Sequence, residues 1–268
     1  MDISVIIPTY KPKDYLWTCL DSLNKQTLNK GQFEVLLILN GCDEPYRSQI
    51  SEYISNNLNG LTIRLIQTST SGVSNARNIG IEQSAGSYIA FIDDDDYVSP
   101  TFLQDMLDKA KPGSVVLSNS ISFIDGSDQF DENYSIRKTY ESLSARRNID
   151  LLHASAMVNG PCMKLLDSSF IQGVGFNTSF TNGEDSLFMF EISKNFKRIV
   201  LASPSAIYYR RIRENSATTN QKPLSYTIAN NIRLIIAYSK CAIRHPFSYN
   251  IPFYFSRVLA GVKNMFIN

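Results

Sequence analysis

Four short apolar runs recur through the first hundred residues: ISVIIP at 3–8, EVLLIL at 34–39, TIRLI at 62–66 and SYIAFI at 87–92. Each is a short run rich in Val, Ile and Leu, as expected of buried parallel strands. Helical spacing fills the gaps. Tyr15, Cys19, Leu20 and Leu23 fall on one helix face, as do Ile50, Tyr53, Ile54 and Leu58, and residues 74–85 also read as a helix. Strand and helix in strict alternation predict an α/β fold with a Rossmann-like, doubly wound, mostly parallel sheet.

In such sheets ligands bind beyond the carboxyl ends of the strands. The polar residues there are Thr9-Tyr10-Lys11, the Asn40–Asp43 stretch, Thr68 to Gly72, and four aspartates in FIDDDDYVSP at 91–100. Ser99 and Pro100 read as the cap and first position of a following helix. Further on, Ser114–Ile124 and Asn159–Leu166 read as strands, Glu184–Asn195 as a helix, Arg198–Tyr209 as one or two strands and Leu224–Ile243 as a helix. Residues 247–266 are aromatic and basic.

Composition narrows the chemistry. Two histidines, His153 and His245, and four scattered cysteines give neither a His-based metal site nor a disulfide frame, so carboxylates must carry the chemistry and the thiols are expected to be reduced. No apolar run reaches the length of a membrane span, and the start lacks a charged signal region, so the expected location is cytoplasmic. Charge is uneven. From Lys194 onward there are twelve Lys or Arg and one acid, Glu214; this net +11, in a chain totalling +1, leaves −10 for residues 1–193. A basic tail fits anionic lipid or a phosphorylated ligand. Nucleic acid is not expected, because the aspartates carry the wrong sign and no recognition motif is present.

Four adjacent carboxylates repel unless a cation or hydrogen-bond donors offset them. A hard divalent ion takes one or two carboxylates and leaves its other positions to phosphate and water. On an extended chain Asp93 and Asp95 would share one side, with Asp94 and Asp96 on the other. The alternative is a solvated acidic turn.

SVIIPTY at 4–10, GVSNARNIGIEQSAGSYIAFIDDDDYVSP at 72–100 and GED at 183–185 together resemble the family 2 glycosyltransferases of GT-A fold, in order and spacing over about residues 3–213. The resemblance implies that Pro8, Thr9 and Tyr10 meet the nucleoside of a nucleotide-sugar, with UDP-sugar the first choice. Asn40 stands where the family commonly has an aspartate of a D-D-G-S motif, and its amide can still pair with a base edge. Arg77 and Asn78 are implied near the nucleotide and sugar, Arg77 as the direct contact. The family D-x-D falls on Asp93 and Asp95, with Asp96 beside them, as ligands of Mn²⁺ or Mg²⁺. Asp93 also reaches sugar or ribose. Asp94 is a surplus charge in the donor site, expected to face solvent or a nearby donor.

By the same resemblance Asp185 is the catalytic base and Glu184 orients the acceptor, giving inversion at the transferred carbon. Lys164 is implied near the acceptor, and Arg211 and Arg213, ahead of Asn215 and Ser216, at the diphosphate. The family further implies surface polysaccharide assembly, as of O-antigen or capsule, on a glycan or lipid-linked acceptor. Alternatives are a polyprenyl-phosphate glycosyltransferase and an inactive carbohydrate-binding scaffold. Residues 1–213 are expected to form the transferase domain, with a donor part to about 100 and an acceptor part to 213. Residues 214–268 are expected to form a basic, aromatic helical extension. That extension suits a membrane interface on the cytoplasmic face of an inner membrane, with core packing or a homodimer contact as alternatives.

Overall fold

The computed structural model describes residues 1–127, 129–131, 134–213 and 222–266. Strands β1 (Ile3–Thr9) and β2 (Phe33–Asn40) are buried at every position, which is why both read as unbroken apolar runs. With β3 (Thr62–Thr68) and β4 (Tyr88–Phe91) they form the parallel half of a seven-stranded sheet. The other half holds β6 (Ser114–Leu117), β8 (Lys164–Asp167) and β9 (Arg198–Leu201). The order is β3-β2-β1-β4-β8-β6-β9, and β8 runs antiparallel to both neighbours. The chain steps outward from β1 to β3 and returns to β4 on the other side of β1. Direction therefore reverses between β1 and β4, so a crevice opens at their carboxyl ends.

Alternate residues of β1 feed two cores. Val5 and Ile7 pack with Leu16, Leu20 and Leu23 of α1 (Tyr15–Asn24) and with Phe102 of α4 (Phe102–Lys109). Ile6 faces the opposite layer, with Ala76 of α3 (Val73–Gln83) and Phe188 and Phe190 of α6 (Glu184–Ile192). Helix α2 (Tyr46–Asn57) completes the first layer, and Trp17 stacks on its Tyr53 at 4.3 Å. Helix α5 is Ser135–Ser144.

Three expected elements change shape. The run 114–124 is two strands, because Ser118 turns its amide and hydroxyl onto the Met163 carbonyl and ends β6. Beyond it β7 (Asn119–Ile124) joins a separate sheet, β5-β10-β7, with β5 (Tyr97–Val98) and β10 (Ile207–Ile212). The strand expected over 159–166 begins only at Lys164, after a left-handed Met163 at φ 66°. Ser99 does not cap a helix: its hydroxyl donates to Ser205 O and accepts from Ile207 N, fastening β10, and α4 starts at Phe102.

The C-terminal segment forms α7 (Leu224–Arg244) and α8 (Ile251–Asn264), packed against each other and against α6. Phe190 of α6 stacks with Tyr249 at 4.7 Å and with Phe253 at 5.9 Å. Among the described residues no helix is long and apolar enough to cross a membrane.

Candidate active site

The four aspartates follow β4 directly, but not as an extended chain. Asp96 N donates to Asp93 O at 3.1 Å, closing a turn, so the expected two-sided alternation of carboxylates does not occur. Each carboxylate leaves the turn toward its own partner. Asp93 meets Arg77 at 2.9 Å, Asp94 accepts from Thr9 Oγ1 at 2.5 Å, and Asp95 meets Arg213 at 2.6 Å. Asp96 accepts from Tyr208 Oη at 2.6 Å and from Arg211 N at 2.8 Å.

Burial still strains the cluster. It pushes Asp94 up to about 7, against the help of Thr9 and with added repulsion from Asp95 and Asp93. Asp95 and Asp96 are raised by burial first and then by charged neighbours within the turn. Arg77 responds in the opposite sense: burial opposes its charge, but Asp185 and Asp93 more than offset that and hold it above its ordinary value.

Across the crevice, Glu184 and Asp185 open α6. The preceding Gly183 sits at φ 86°, a conformation side chains avoid, and a Cβ there would run into Leu234 of α7. Helix α7 grips this turn at several points: Asn230 Nδ2 donates to Asn182 O at 3.0 Å, and Tyr238 pairs with Ser186 at 2.7 Å. Asp185 Oδ1 accepts from Arg77 Nη1 at 2.6 Å, and burial raises its pKa while Arg77 opposes the rise. Glu184 is raised by burial and by Asp185, and its Oε2 is buried without a hydrogen-bond partner among the described residues.

Several expected ligand contacts take structural roles. Arg77 is not open to a nucleotide: its side chain is 4% exposed, both terminal nitrogens serve carboxylates, and it lies 5.2 Å over Phe176. Asn40 does not face a base either. Its amide donates to Thr9 O at 2.7 Å and accepts from Gly72 N at 3.0 Å, joining three strand-end loops. Asn78 exchanges two hydrogen bonds with the Phe176 backbone. Lys164 is interior, donating to Cys162 O at 2.7 Å, and desolvation lowers it to about 8. Asp96, also expected as a metal ligand, is enclosed, and its two carboxylate oxygens accept from Tyr208 and Arg211. Arg211 spends its side chain on Asp95 O and Asp125.

Other residues stay open to the crevice. Tyr10 is half exposed beside buried Pro8 and Thr9. Arg213 lies over the Tyr15 ring at 4.8 Å, with a buried Nε lacking a partner among the described residues. Asn215 and Ser216 lie outside the described residues. Tyr208 escaped the sequence reading, although it hydrogen-bonds both Asp96 and the Asp93 amide. So did Phe176, which carries no local motif.

The donor set fits a hard divalent ion. Asp93 and Asp95 offer oxygen ligands at the crevice, with Asp93 41% and Asp95 15% exposed. No group of three or more His, Cys, Asp or Glu among the described residues could hold a metal by itself.

A mostly parallel sheet with a carboxylate turn at its switch point and an acid pair facing it is a GT-A arrangement. The family described as Glycosyl transferase family 2 matches residues 4–175, and the chain belongs to that family. Glu184 and Asp185 lie beyond the matched stretch. Among its relatives is poly(ribitol-phosphate) beta-N-acetylglucosaminyltransferase TarS of Staphylococcus aureus, 29% identical over 217 residues. The match covers 80% of this chain and 36% of TarS, so the chain spans about a third of that relative's length. The crystal structure of S. aureus TarS 1–349 with UDP-GlcNAc superposes at a TM-score of 0.75, at 22% identity, over 99% of this chain and 73% of that one. The mannosyltransferase PcManGT of Pyrobaculum calidifontis, in complex with GDP-Man and Mn²⁺, shares the fold at a TM-score of 0.63 and 17% identity, over 98% and 69%.

Proposed function

We propose that the protein is an inverting glycosyltransferase that moves a sugar from a nucleotide-sugar, UDP-linked as first choice, to a hydroxyl of a glycan or polyol-phosphate polymer. The observation that carries this reading is the Arg77 bridge, which joins Asp93 of the D-x-D turn to Asp185 at the start of α6. A donor-side carboxylate and a base are thereby held on opposite sides of one crevice.

Asp185 takes the acceptor hydroxyl proton as the oxygen bonds to the anomeric carbon from the face opposite the diphosphate. The bond from that carbon to the phosphate oxygen breaks, and its electron pair leaves with the nucleoside diphosphate. The carbon is inverted, so an α-linked donor gives a β-glycoside. Glu184 orients the acceptor, whose hydroxyl would supply the donor that Oε2 lacks. Two acids at this point repel a phosphate acceptor, which favours a hydroxyl over polyprenyl phosphate. Arg213, beside Asp95, serves the diphosphate, and Pro8, Thr9 and Tyr10 line the nucleoside end. Mn²⁺ or Mg²⁺, held by Asp95 and Asp93, would neutralise charge on the leaving diphosphate.

TarS is named for a poly(ribitol-phosphate) acceptor and crystallised with UDP-GlcNAc, so these are the first pair to try. Surface polysaccharides such as O-antigen or capsule, built on lipid carriers, are the wider acceptor class. The working place is the cytoplasmic face of a membrane. Residues 1–213 perform the transfer, and 214–268 support and attach them. The decisive measurement is product formation and anomeric configuration from a panel of nucleotide-sugars with Mn²⁺, for wild type and Asp185→Asn. Turnover of wild type with inversion, lost by a factor of about 10²–10⁴ in the variant, is expected. Retention of configuration, or full activity in Asp185→Asn, would overturn the reading.

A further inference from the structure

Helix α7 turns apolar side chains outward. Leu234 and Tyr238 pack inward, whereas Ile228, Ile232, Ile236 and Ile243 recur on the opposite side, Ile243 being 76% exposed. Helix α8 repeats the pattern: Phe253 and Arg257 are buried, while Ile251, Phe255, Leu259 and Val262 face out.

The two stripes lie on one surface. Gly261 packs on Ile235 and Asn231, and Tyr254 hydrogen-bonds Ser239 at 2.8 Å, so the helices meet along their flanks. On each helix that flank lies about a quarter-turn from the inward face, and the exposed stripe about a further quarter-turn on. Antiparallel pairing then puts both stripes on the same outer side. Phe247, fully exposed at the connection and in a left-handed conformation, and Phe266 at the far end extend the surface. An exposed apolar surface of this extent marks an interaction site.

Charge selects the partner. From Lys222 to Asn268 the chain holds six Lys or Arg and no Asp or Glu. Lys240 and Arg244 border the α7 stripe and Lys263 the α8 stripe, all exposed. We infer that the outer face of the α7–α8 hairpin docks on an anionic phospholipid bilayer, with the isoleucines and phenylalanines entering the headgroup boundary and the lysines and arginine contacting lipid phosphates. A second copy of this chain would bring the same excess of cations together, which argues against self-pairing. The inference rests on the proposed membrane location, but vesicle binding is read without donor or turnover, so it can fail while glycosyl transfer stands.

The experiment is co-sedimentation of the full chain with phosphatidylcholine vesicles, with and without phosphatidylglycerol, alongside sedimentation velocity of the protein alone. Wild type should bind vesicles containing phosphatidylglycerol, bind neutral vesicles weakly, and lose binding as salt rises. Ile236→Asp with Phe255→Asp, and separately Lys240→Glu with Lys263→Glu, should each weaken binding about tenfold or more with thermal midpoints unchanged or raised. Absence of wild-type binding, or undiminished binding by both folded double variants, would overturn the inference. So would a wild-type dimer that binds no vesicles and is dissociated by Ile236→Asp.

Discussion

Arg77 lies 2.6 Å from Asp185, with its guanidinium almost fully buried and its other terminal nitrogen 2.9 Å from Asp93. The cation is thus a brace between the two carboxylate groups of the site. In Arg77→Met both acids lose their partner. They are a third or more exposed and can rehydrate, so stability should fall by only about 2 kcal/mol. The clearer effect is on protonation. Arg77 holds the Asp185 pKa down against burial, so its removal should move the acid limb of the kcat/KM pH profile upward. A profile unchanged in position would separate Arg77 from the base.

Asp95 and Asp96 are adjacent but should behave differently. Asp95→Ala should lose metal-dependent nucleotide-sugar binding by calorimetry while folding normally. Asp96→Ala should leave the Tyr208 hydroxyl and the Arg211 amide without their acceptor, costing about 1–3 kcal/mol in urea denaturation.

Asp94 gives a pH signature. Its carboxyl rises from an ordinary 3.8 to about 7 in the folded protein, mainly through burial. A raised folded pKa means stability that is fully present below the unfolded value and lost as pH climbs through about 7. Asp94→Asn keeps an acceptor for Thr9 and removes the charge. In EDTA it should match wild type near pH 4 and exceed it by about 2–4 kcal/mol at pH 8. Urea midpoints at both pH values measure this.

Lys164 should show the reverse window. Desolvation depresses it from 10.5 to about 8, so the folded state binds fewer protons between those values and stability rises with pH there. Lys164→Met loses the bond to Cys162 O but removes a buried cation. It should be more stable than wild type by about 2 kcal/mol at pH 7, with the gap closing by pH 9.5.

Strands β1 and β2 were legible because strands buried on both faces must be apolar throughout, β3 at the sheet edge only by its place in the alternation, and the D-x-D turn because strand ends at a switch point are where polar clusters gather. Side-chain partnerships were not. Nothing local tells that the Asn40 amide is consumed by Thr9 and Gly72, or that Asp96 points at a tyrosine more than a hundred residues away. The expected alternation of Asp93 to Asp96 failed because one backbone hydrogen bond converts an extended segment into a turn. Ser118 shows a related limit: a break in a strand depends on which carbonyl lies nearby, here Met163, and that is a tertiary fact.

The contact of Gly183 with Leu234 bears on how this chain can be shortened. Trimming it before Leu224 would remove the apolar hairpin and ease handling in water, but it would also withdraw the backing of the Glu184–Asp185 turn. Solubility and catalytic competence are therefore tied to the same helix, and an engineer seeking both should recolour the outward isoleucines with polar side chains and keep the inward ones.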